Sequence, residues 1–377
     1  MVGLCCRQLF GLMLALICAG SAAYAADLYS EELRIPMAEA GSRGLEAFLM
    51  RPAASGKYPL ALISHGSPRD TDDRPGMAAQ KYRTIAAEFA RRGFAAVVVL
   101  RRGYGTSPGG RVDSYGRCSR PKYSEALAVA VADLQAAVAA MKDRSDVTTQ
   151  GMIAIGHSAG GLATVGLAAQ APPGLVAAFN FAGGRGSRSE GEVCGAGALV
   201  DLFRQLGTTS RVPMLWVYAK NDKFFSPDLA HRFRDAFMAG GGKVTFIDAP
   251  AFGNDGHYLF STSSAAAWTP YVDSFLRAQN LLHAAASIAA LLPPLQLGTN
   301  GKQAFAQFMD HAPHKAFAVA PDGSFGWRSR MPTVDDATRE ALEACSRHAT
   351  GCRIYAVDGE ATTVAPHPAQ STIRHNE

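Results

Sequence analysis

The chain of 377 residues contains only seven cysteines, and no two of them form a C-x-x-C pair. A redox motif or a zinc site built on cysteine is therefore not expected. Runs of lysine or arginine are also absent, although the formal net charge is +5. Isolated pairs such as Arg91-Arg92 and Arg101-Arg102 do not make the basic patch that nucleic acid requires, so no nucleic-acid partner is predicted.

Long apolar runs are equally scarce. The run at residues 9–19 follows the positively charged Arg7 and precedes the small-x-small sequence Ala23-Tyr24-Ala25. This order is typical of a secretory signal peptide, and the run is too short for a membrane span of about 20 residues. We therefore expect residues 1–25 to be removed, the mature protein to be periplasmic or secreted, and no membrane span to remain in it.

Export would leave four cysteines in an oxidising compartment: Cys118, Cys194, Cys345 and Cys352. An even number there indicates two disulfide bonds. Four cysteines allow three pairings. We favour Cys345 with Cys352, because they close a short local loop, and hence Cys118 with Cys194. Free buried thiols are the alternative.

From residue 35 to about residue 280, apolar runs typical of buried strands alternate with helical patterns. The predicted strands are residues 45–50, 60–64, 94–100, 153–155, 175–181, 214–219 and 244–248. The predicted helices are residues 76–92, 124–142, 161–170, 195–206, 227–239 and 263–278, with Ser124 and Ser226 as N-caps. The alternation predicts an α/β fold, a mostly parallel sheet flanked by helices, with ligands bound beyond the carboxyl ends of the strands.

The pattern changes after about residue 300. Residues 316–319 and 325–327 predict a hairpin around the Asp322-Gly323 turn, followed by a helix over 334–348 and a strand over 354–357. The sequence thus predicts a small C-terminal α+β (ββαβ) module. We expect these units: a large domain over 27–280, a linker helix over 281–299, the module over 300–360 and a disordered tail over 361–377.

The sequence Gly156-His157-Ser158-Ala159-Gly160 matches G-x-S-x-G, with Ser158 in the position of a nucleophile. An apolar run precedes the motif and an alanine-rich segment follows it, so it lies at a strand-to-helix turn. The glycines let the backbone turn sharply and keep side chains from clashing with the neighbouring strand and helix. The turn would leave the hydroxyl of Ser158 exposed at its tip.

A serine hydroxyl needs a base to take its proton, and the base needs an acceptor that holds its tautomer. Asp222 follows the predicted strand 214–219, and His257 lies in a glycine-rich loop after the last strand of the sheet. The order serine, aspartate, histidine is the one that accompanies this motif. We predict that Ser158, Asp222 and His257 form a catalytic triad.

Other residues compete for these roles. Asp248 closes the last predicted strand of the sheet, and Asp255 is so near His257 in sequence that its carboxylate would be awkward to orient. His231 falls within a predicted helix and His65 belongs to another element, which makes both of them weaker candidates for the base.

Acyl transfer also needs N–H donors for the oxyanion. We predict the backbone N–H of Ala159, which follows the nucleophile, and that of Ser67, in the loop after strand 60–64. Pro68 has no N–H group and is excluded. Three residues near these strand ends are candidates for the substrate pocket: His65, Tyr104 and His157.

Arginines also occur in the two long loops expected at the rim of this site: Arg117, Arg120, Arg185 and Arg188. They would favour an anionic substrate if they faced it, but we expect solvated rim charges. A bond between Cys118 and Cys194 would tie the two loops together.

These features resemble the dienelactone hydrolase-like group of the α/β-hydrolases over about residues 35–280. The resemblance is carried by Leu62-Ile63-Ser64-His65-Gly66-Ser67, Arg101-Arg102-Gly103-Tyr104-Gly105, the Ser158 motif, Asp222 and His257. It implies hydrolysis of an ester, thioester or amide through an acyl-enzyme. Dienelactone hydrolases themselves use cysteine as the nucleophile, so serine here is more similar to the esterase, lipase and peptidase relatives.

We therefore predict an exported serine hydrolase that cleaves a carboxylic ester or thioester of a small to medium molecule. No cofactor and no metal are predicted. A peptidase or amidase of the same fold is one alternative, and a non-catalytic envelope-binding protein is the other.

Overall fold

The computed structural model describes residues 28–261, 265–282, 293–311, 314–357 and 360–362. Within them, an eight-stranded sheet forms the centre of the larger part of the molecule, and β7 and β8 form a separate hairpin. In chain order these strands are β1 (Leu28–Ile35), β2 (Leu45–Pro52), β3 (Tyr58–Ser64), β4 (Ala95–Val99), β5 (Val147–His157), β6 (Leu175–Phe181), β7 (Ser187–Ser189), β8 (Glu192–Val193), β9 (Pro213–Ala219) and β10 (Lys243–Ala249).

The order of strands in the sheet is β1-β2-β4-β3-β5-β6-β9-β10. The pairs β1–β2 and β2–β4 are antiparallel, and every pair from β4 to β10 is parallel. Central strands are continuous apolar runs because helices cover both of their faces, and every residue of β4 is buried. The predicted α/β fold with a mostly parallel sheet is confirmed.

Six α-helices of the described residues cover this sheet: α1 (Arg83–Arg91), α2 (Tyr123–Lys142), α3 (Ala159–Ala169), α4 (Ala196–Thr209), α5 (Pro227–Ala239) and α6 (Ala265–Ala278). α1 and α6 pack on one face and α2 to α5 on the other, so each face has its own hydrophobic cluster. Among the described helices only α2 is long and apolar enough to cross a membrane, and it packs here against α3 and β5 as a core helix.

The largest departure from the predicted elements precedes α1. In place of one helix over 76–92, the chain forms two 3₁₀ turns, Thr71–Gly76 and Ala79–Tyr82, before α1 begins. The carboxylate of Glu46 accepts a hydrogen bond of 2.7 Å from the backbone N–H of Ala79. Ala79 is the first residue of the second 3₁₀ turn, so its N–H has no partner within that turn and Glu46 of β2 supplies one.

The two predicted N-caps have different outcomes. The Ser226 oxygen accepts a hydrogen bond from the backbone N–H of Leu229 at 3.4 Å, as an N-cap does. Ser124 instead lies inside α2, which begins one residue earlier. The N-cap position is Lys122, and its side chain makes no capping bond.

A second, four-stranded antiparallel sheet has the order β12-β11-β13-β14. Its elements are α7 (Thr299–Asp310), β11 (Ala316–Val319), β12 (Phe325–Arg328), α8 (Val334–Ser346), β13 (Arg353–Val357) and β14 (Glu360–Ala361). α7 packs on one face and α8 on the other. The predicted small α+β module is present, and α7 and β14 extend it. The predicted signal peptide (1–25), most of the linker helix (283–292) and the tail beyond residue 362 lie outside the described residues.

Both expected disulfide bonds are present. Cys345 in α8 is bonded to Cys352, with 6.0 Å between their Cα atoms. Cys118 is bonded to Cys194, with a Cα separation of 4.8 Å across 76 residues of sequence. The second bond joins the loop between β4 and α2 to the segment that follows the β7–β8 hairpin.

Candidate active site

Ser158 lies at a sharp turn between the end of β5 and the start of α3. Its backbone has φ +55° and ψ −123°, a strained conformation for a residue with a side chain. A Cβ atom on Gly156 would overlap the carbonyl oxygen of Gly160, and one on Gly160 would overlap the carbonyl oxygens at the end of β3. Both glycines of the motif are therefore required by close backbone approach, as the sequence predicts.

The side chains of Asp222 and His257 meet in the interior beside this turn. The Nδ1 atom of His257 lies 3.0 Å from Oδ2 and 3.1 Å from Oδ1 of Asp222, and both side chains are buried. Oδ1 of Asp222 also accepts hydrogen bonds from the backbone N–H groups of Phe224 (2.7 Å) and Phe225 (2.9 Å). With Nδ1–H donated to the carboxylate, Nε2 of His257 keeps the lone pair that a base needs.

The two alternative aspartates have other roles. Asp255 accepts hydrogen bonds from the backbone N–H groups of His257 and Lys223, both at 3.0 Å, and so joins the two loops that carry the acid and the imidazole. Asp248 bonds to Nε2 of His231 at 2.6 Å, in a largely exposed pair. Of the three aspartates, the structure brings only Asp222 to the imidazole of His257.

Ring contacts hold the imidazole of His257 in one plane. The ring of Phe224 stacks on it with 3.8 Å between centroids and 11° between planes, and the guanidinium of Arg69 lies 3.5 Å from the centroid of the Phe224 ring. His157 donates from Nε2 to the carbonyl oxygen of His257 at 2.7 Å. Burial, with the nearby His257, lowers the pKa of His157 to about 3, so His157 stays neutral and acts as a hydrogen-bond donor.

His65 orients the peptide group between Gly66 and Ser67. The backbone N–H of Arg101 donates to Nε2 of His65 at 3.1 Å, so the proton is on Nδ1, which donates to the carbonyl oxygen of Gly66 at 2.6 Å. Burial and the adjacent Arg101 keep the pKa of His65 well below its usual value, which preserves this neutral form. In a trans peptide the N–H points away from the C=O, so the bond from His65 turns the N–H of Ser67 outward.

The second expected oxyanion donor stands at the start of a helix. Ala159 is the first residue of α3, so its N–H has no partner within the helix. Gly66 lies close to the nucleophile, because a Cβ atom on it would come within 3.2 Å of Cβ of Ser158. Ser67 and Ala159 line one cavity together with Ser158.

Comparisons with known proteins identify the fold. Residues 74–184 match a family model described as serine aminopeptidase, S33. A candidate dipeptidyl aminopeptidase IV from Bacteroides ovatus has a similar structure, with a TM-score of 0.51 and 14% identity. That match covers 67% of this chain and 36% of the other. The chain has the α/β-hydrolase fold.

Other solved structures match at lower structural similarity. A candidate dienelactone hydrolase from Klebsiella pneumoniae has 18% identity and a TM-score of 0.47, and the match covers 67% of this chain and 99% of that one. Esterase 2 from Thermogutta terrifontis has 17% identity and a TM-score of 0.46, with 67% and 95% of the two chains covered. No curated protein matches the chain.

Two cavities meet at Ser158, and Ser67 also lines both. The smaller one, about 210 Å³, is lined by Ala159 and by residues of the loops that Cys118 and Cys194 join. The larger one, about 580 Å³, is lined by His257, by apolar side chains and by three charged residues, Asp73, Lys81 and Arg69, of which Arg69 lines both cavities. The apolar lining residues of the larger cavity are Met77, Tyr82, Ile85, Phe224, Tyr258 and Phe260.

Of the three residues predicted to line the substrate pocket, one lines a cavity and two are buried behind it. His157 lines the larger cavity. His65 is 1% exposed and Tyr104 is 0% exposed, and neither lines either cavity, so the expectation that they contact substrate is corrected. Both instead support the loop at Gly66 and Ser67 from behind, because His65 is hydrogen-bonded to the carbonyl oxygen of Gly66 and the hydroxyl of Tyr104 to Oγ of Ser67.

A buried carboxylate, Asp113, stands behind the smaller cavity and was missed by sequence reasoning. It accepts hydrogen bonds from Tyr104 (2.8 Å), Arg74 (2.9 Å) and Arg185 (2.5 Å), and its side chain is 1% exposed. Burial opposes its ionisation, but Arg185, Arg101 and Arg74 outweigh burial and hold the pKa of Asp113 below its usual value. No local pattern marks Asp113, because its partners lie up to 72 residues away in sequence.

The rim arginines divide into two kinds. Arg185 is 7% exposed and paired with Asp113, so the expectation of a solvated charge is wrong for it. Arg188, Arg117 and Arg120 are exposed, as expected. The disulfide helps to hold Arg185 in place, because the backbone N–H of Cys194 donates to the carbonyl oxygen of Gly186 at 2.9 Å.

We predict that Asp113→Asn lowers the free energy of unfolding at pH 7 by about 3 kcal/mol, because it leaves buried guanidinium groups without their counter-ion. A carboxyl whose pKa falls on folding adds stability above its unfolded pKa of about 4 and loses it as the pH drops through its folded pKa. The gap between variant and wild type should therefore narrow below about pH 4. Urea unfolding at a series of pH values measures both effects.

Asp72→Asn is the matched control for this substitution. Asp72 pairs with Arg111 in the same region, but both side chains are largely exposed, so the variant should unfold like the wild type. A loss of stability by Asp113→Asn that is equal at pH 7 and pH 3 would contradict the assignment of an ionised Asp113.

Proposed function

We propose that the protein is an exported serine hydrolase that cleaves a carboxylic ester or thioester through an acyl-enzyme. The observation that carries the proposal is the buried hydrogen bond between Asp222 and Nδ1 of His257, whose side chain shares a cavity with Ser158. The strained turn at Ser158 supports it, because backbone strain of this kind is retained where a side chain must be presented to a substrate.

The proposed reaction has two halves. Nε2 of His257 takes the hydroxyl proton of Ser158 while Oγ bonds to the carbonyl carbon of the substrate, and the N–H groups of Ala159 and Ser67 bind the oxyanion. The bond from that carbon to the leaving group then breaks, and His257 gives its proton to the departing alkoxide or thiolate. Water, deprotonated by His257, next attacks the acyl-enzyme and releases the carboxylic acid and free Ser158.

The charge of the smaller cavity favours ester hydrolysis over aminopeptidase activity. An aminopeptidase must bind the positively charged amino terminus of its substrate, which requires an unpaired carboxylate. Among the described residues that line this cavity, Asp113 is the one carboxylate, and it already pairs with Arg74 and Arg185. A cationic substrate would meet arginine there, so we place the peptidase alternative second.

A non-catalytic role for the fold is third. A binding protein has no need of a strained serine beside a buried pair of Asp222 and His257. It also has no need of a neutral His157 bonded to the carbonyl group of His257.

Replacing the nucleophile tests the reaction type. Ser158→Ala should reduce kcat for p-nitrophenyl butyrate on the order of 10⁵-fold and abolish covalent labelling by a fluorophosphonate probe, because no other group can form the acyl-enzyme. The matched control is Ser189→Ala, at an exposed serine of β7 outside both cavities, which should be labelled at the wild-type rate. Turnover by Ser158→Ala at near the wild-type rate would refute the proposal.

A second pair of variants tests the choice of acid. Asp222→Asn should reduce kcat by about 10⁴-fold, since an amide no longer fixes the tautomer of His257 or stabilises its protonated form. Asp248→Asn, which affects only the exposed pair with His231, should leave kcat unchanged. Steady-state kinetics measure kcat of the two variants, and equal kcat values would show that Asp222 is not the acid of the triad.

Export is the remaining part of the proposal. Its support is the pair of disulfide bonds together with the signal-like sequence at residues 1–25. Changing both Ala23 and Ala25 to Asp should block cleavage, because a signal peptidase requires small residues there, whereas Tyr24→Ser should be processed normally. Mass spectrometry of fractionated cells measures this, and wild-type protein found at full length in the cytoplasm would exclude export.

A further inference from the structure

The smaller cavity beside Ser158 has an excess of positive charge. Four arginines line it, and Asp113 is the one carboxylate among the described lining residues. The arginines are Arg69, Arg74, Arg111 and Arg185. Arginine binds carboxylates through two parallel N–H donors, so this lining is suited to an anion.

The neighbouring carboxylates do not balance these charges. Asp113 is shared by Arg74 and Arg185, whose side chains are 10% and 6% exposed. Within the described residues, Nε of Arg74 has no hydrogen-bond partner although it is buried. Arg101 lies behind them, 0% exposed, and bonds to Oγ of Ser64 and the carbonyl of His65, but to no carboxylate in the part of the chain that the structure describes. An anion in the cavity would therefore offset buried charge that the protein leaves uncompensated.

Arg69 adds a charge at the entrance of the cavity. It donates hydrogen bonds to Oγ of Ser187 (3.1 Å) and to the carbonyl oxygen of Lys223 (2.9 Å), and its guanidinium lies over the ring of Phe224. All three partners are neutral groups, so its charge is available to a ligand. The exposed Arg111 is already paired with Asp72 and contributes less.

The positions of the catalytic groups assign the two cavities to the two parts of an ester. His257 must protonate the leaving group, and it lines the larger cavity, about 580 Å³, but not the smaller one. Ala159, which would bind the oxyanion of the acyl group, lines the smaller cavity but not the larger one. The acyl group therefore enters the arginine-lined cavity, and the leaving group occupies the larger and more apolar one.

We propose that the substrates are half-esters of short dicarboxylic acids, in which the acyl group carries a free carboxylate and the alcohol is apolar. This inference rests on the proposed function. The cavity of about 210 Å³ has room for an acyl chain on the order of five or six carbons, if each group occupies about the 30 Å³ of a water molecule. The reaction forms a dicarboxylate and an alcohol, and the distal carboxylate is not changed by it.

A pair of matched substrates tests the inference. Mono-p-nitrophenyl adipate and p-nitrophenyl hexanoate have equal chain lengths and the same leaving group, and they differ in the terminal carboxylate. After subtraction of the uncatalysed rate, kcat/KM of the wild type should be at least about tenfold higher for the adipate half-ester. Equal or lower kcat/KM for the half-ester would overturn the inference.

Variants of single arginines test which side chains bind the free carboxylate of the half-ester. Arg185→Gln keeps a hydrogen-bond donor for Asp113 and removes the charge, so it should lower kcat/KM for the half-ester much more than kcat/KM for the hexanoate, and most of the preference should be lost. Arg69→Gln removes the charge of an exposed side chain, and it should reduce the preference in the same direction. Arg188→Gln, on the same loop as Arg185 but exposed and paired with Glu192, should retain the full preference. Retention of the preference by both Arg185→Gln and Arg69→Gln would refute the role given to the cavity.

Fluorophosphonate labelling separates the two possible failures. If the wild type is labelled at Ser158 and hydrolyses both esters equally well, the proposed function stands and the substrate class is wrong. If the wild type is neither labelled nor active on either ester, the proposed function itself fails.

Discussion

Close backbone contact between the end of β3 and the start of α3 is the constraint on which the site depends. The chain at Gly160 approaches the carbonyl groups of Ser64 and His65 so closely that any Cβ atom there would overlap them. Because the contact involves backbone on both sides, no rotation of a side chain can relieve it. It sets Gly66 against Ser158, so the same packing places the loop that carries Ser67, a proposed oxyanion donor, and the turn that carries Ser158, the proposed nucleophile.

A second constraint is electrostatic, and it extends the site outward from the turn. Asp113 is a single buried carboxylate bonded to two guanidinium groups and to the hydroxyl of Tyr104, which in turn bonds to Ser67. The loop that carries Ser67 and the arginine-lined cavity are therefore parts of one hydrogen-bonded network. The loop that carries Asp113 is tied by the bond from Cys118 to Cys194, so a covalent link helps to hold charges that would otherwise favour a solvated arrangement.

Sequence reasoning predicted what depends on local pattern and chain order. The central strands are apolar runs because both faces of the sheet are covered, and Asp222 and His257 follow such strands in the order that the Ser158 motif requires. Asp113 could not be found in this way, because it lies in an irregular loop and the arginines that bond to it are distant in sequence. For the same reason Arg185 was expected to be solvated. The helix predicted over 76–92 begins only at Arg83, and the 3₁₀ turn before it is bonded to Glu46 of β2, a long-range contact that local pattern does not show.

Arg69 contacts residues on both sides of the site, those next to His257 and those that line the smaller cavity. Its guanidinium lies over the ring of Phe224, and that ring stacks on the imidazole of His257, while the same guanidinium bonds to Ser187 at the wall of the smaller cavity. Phe224 also donates its backbone N–H to Asp222. One residue thus contacts both the groups that hold the imidazole and the surface that would receive an acyl carboxylate. An anion bound at Arg69 would reduce the freedom of that guanidinium and, through the ring of Phe224, of the imidazole, so that recognition of the acyl group and orientation of the base are physically coupled in this site.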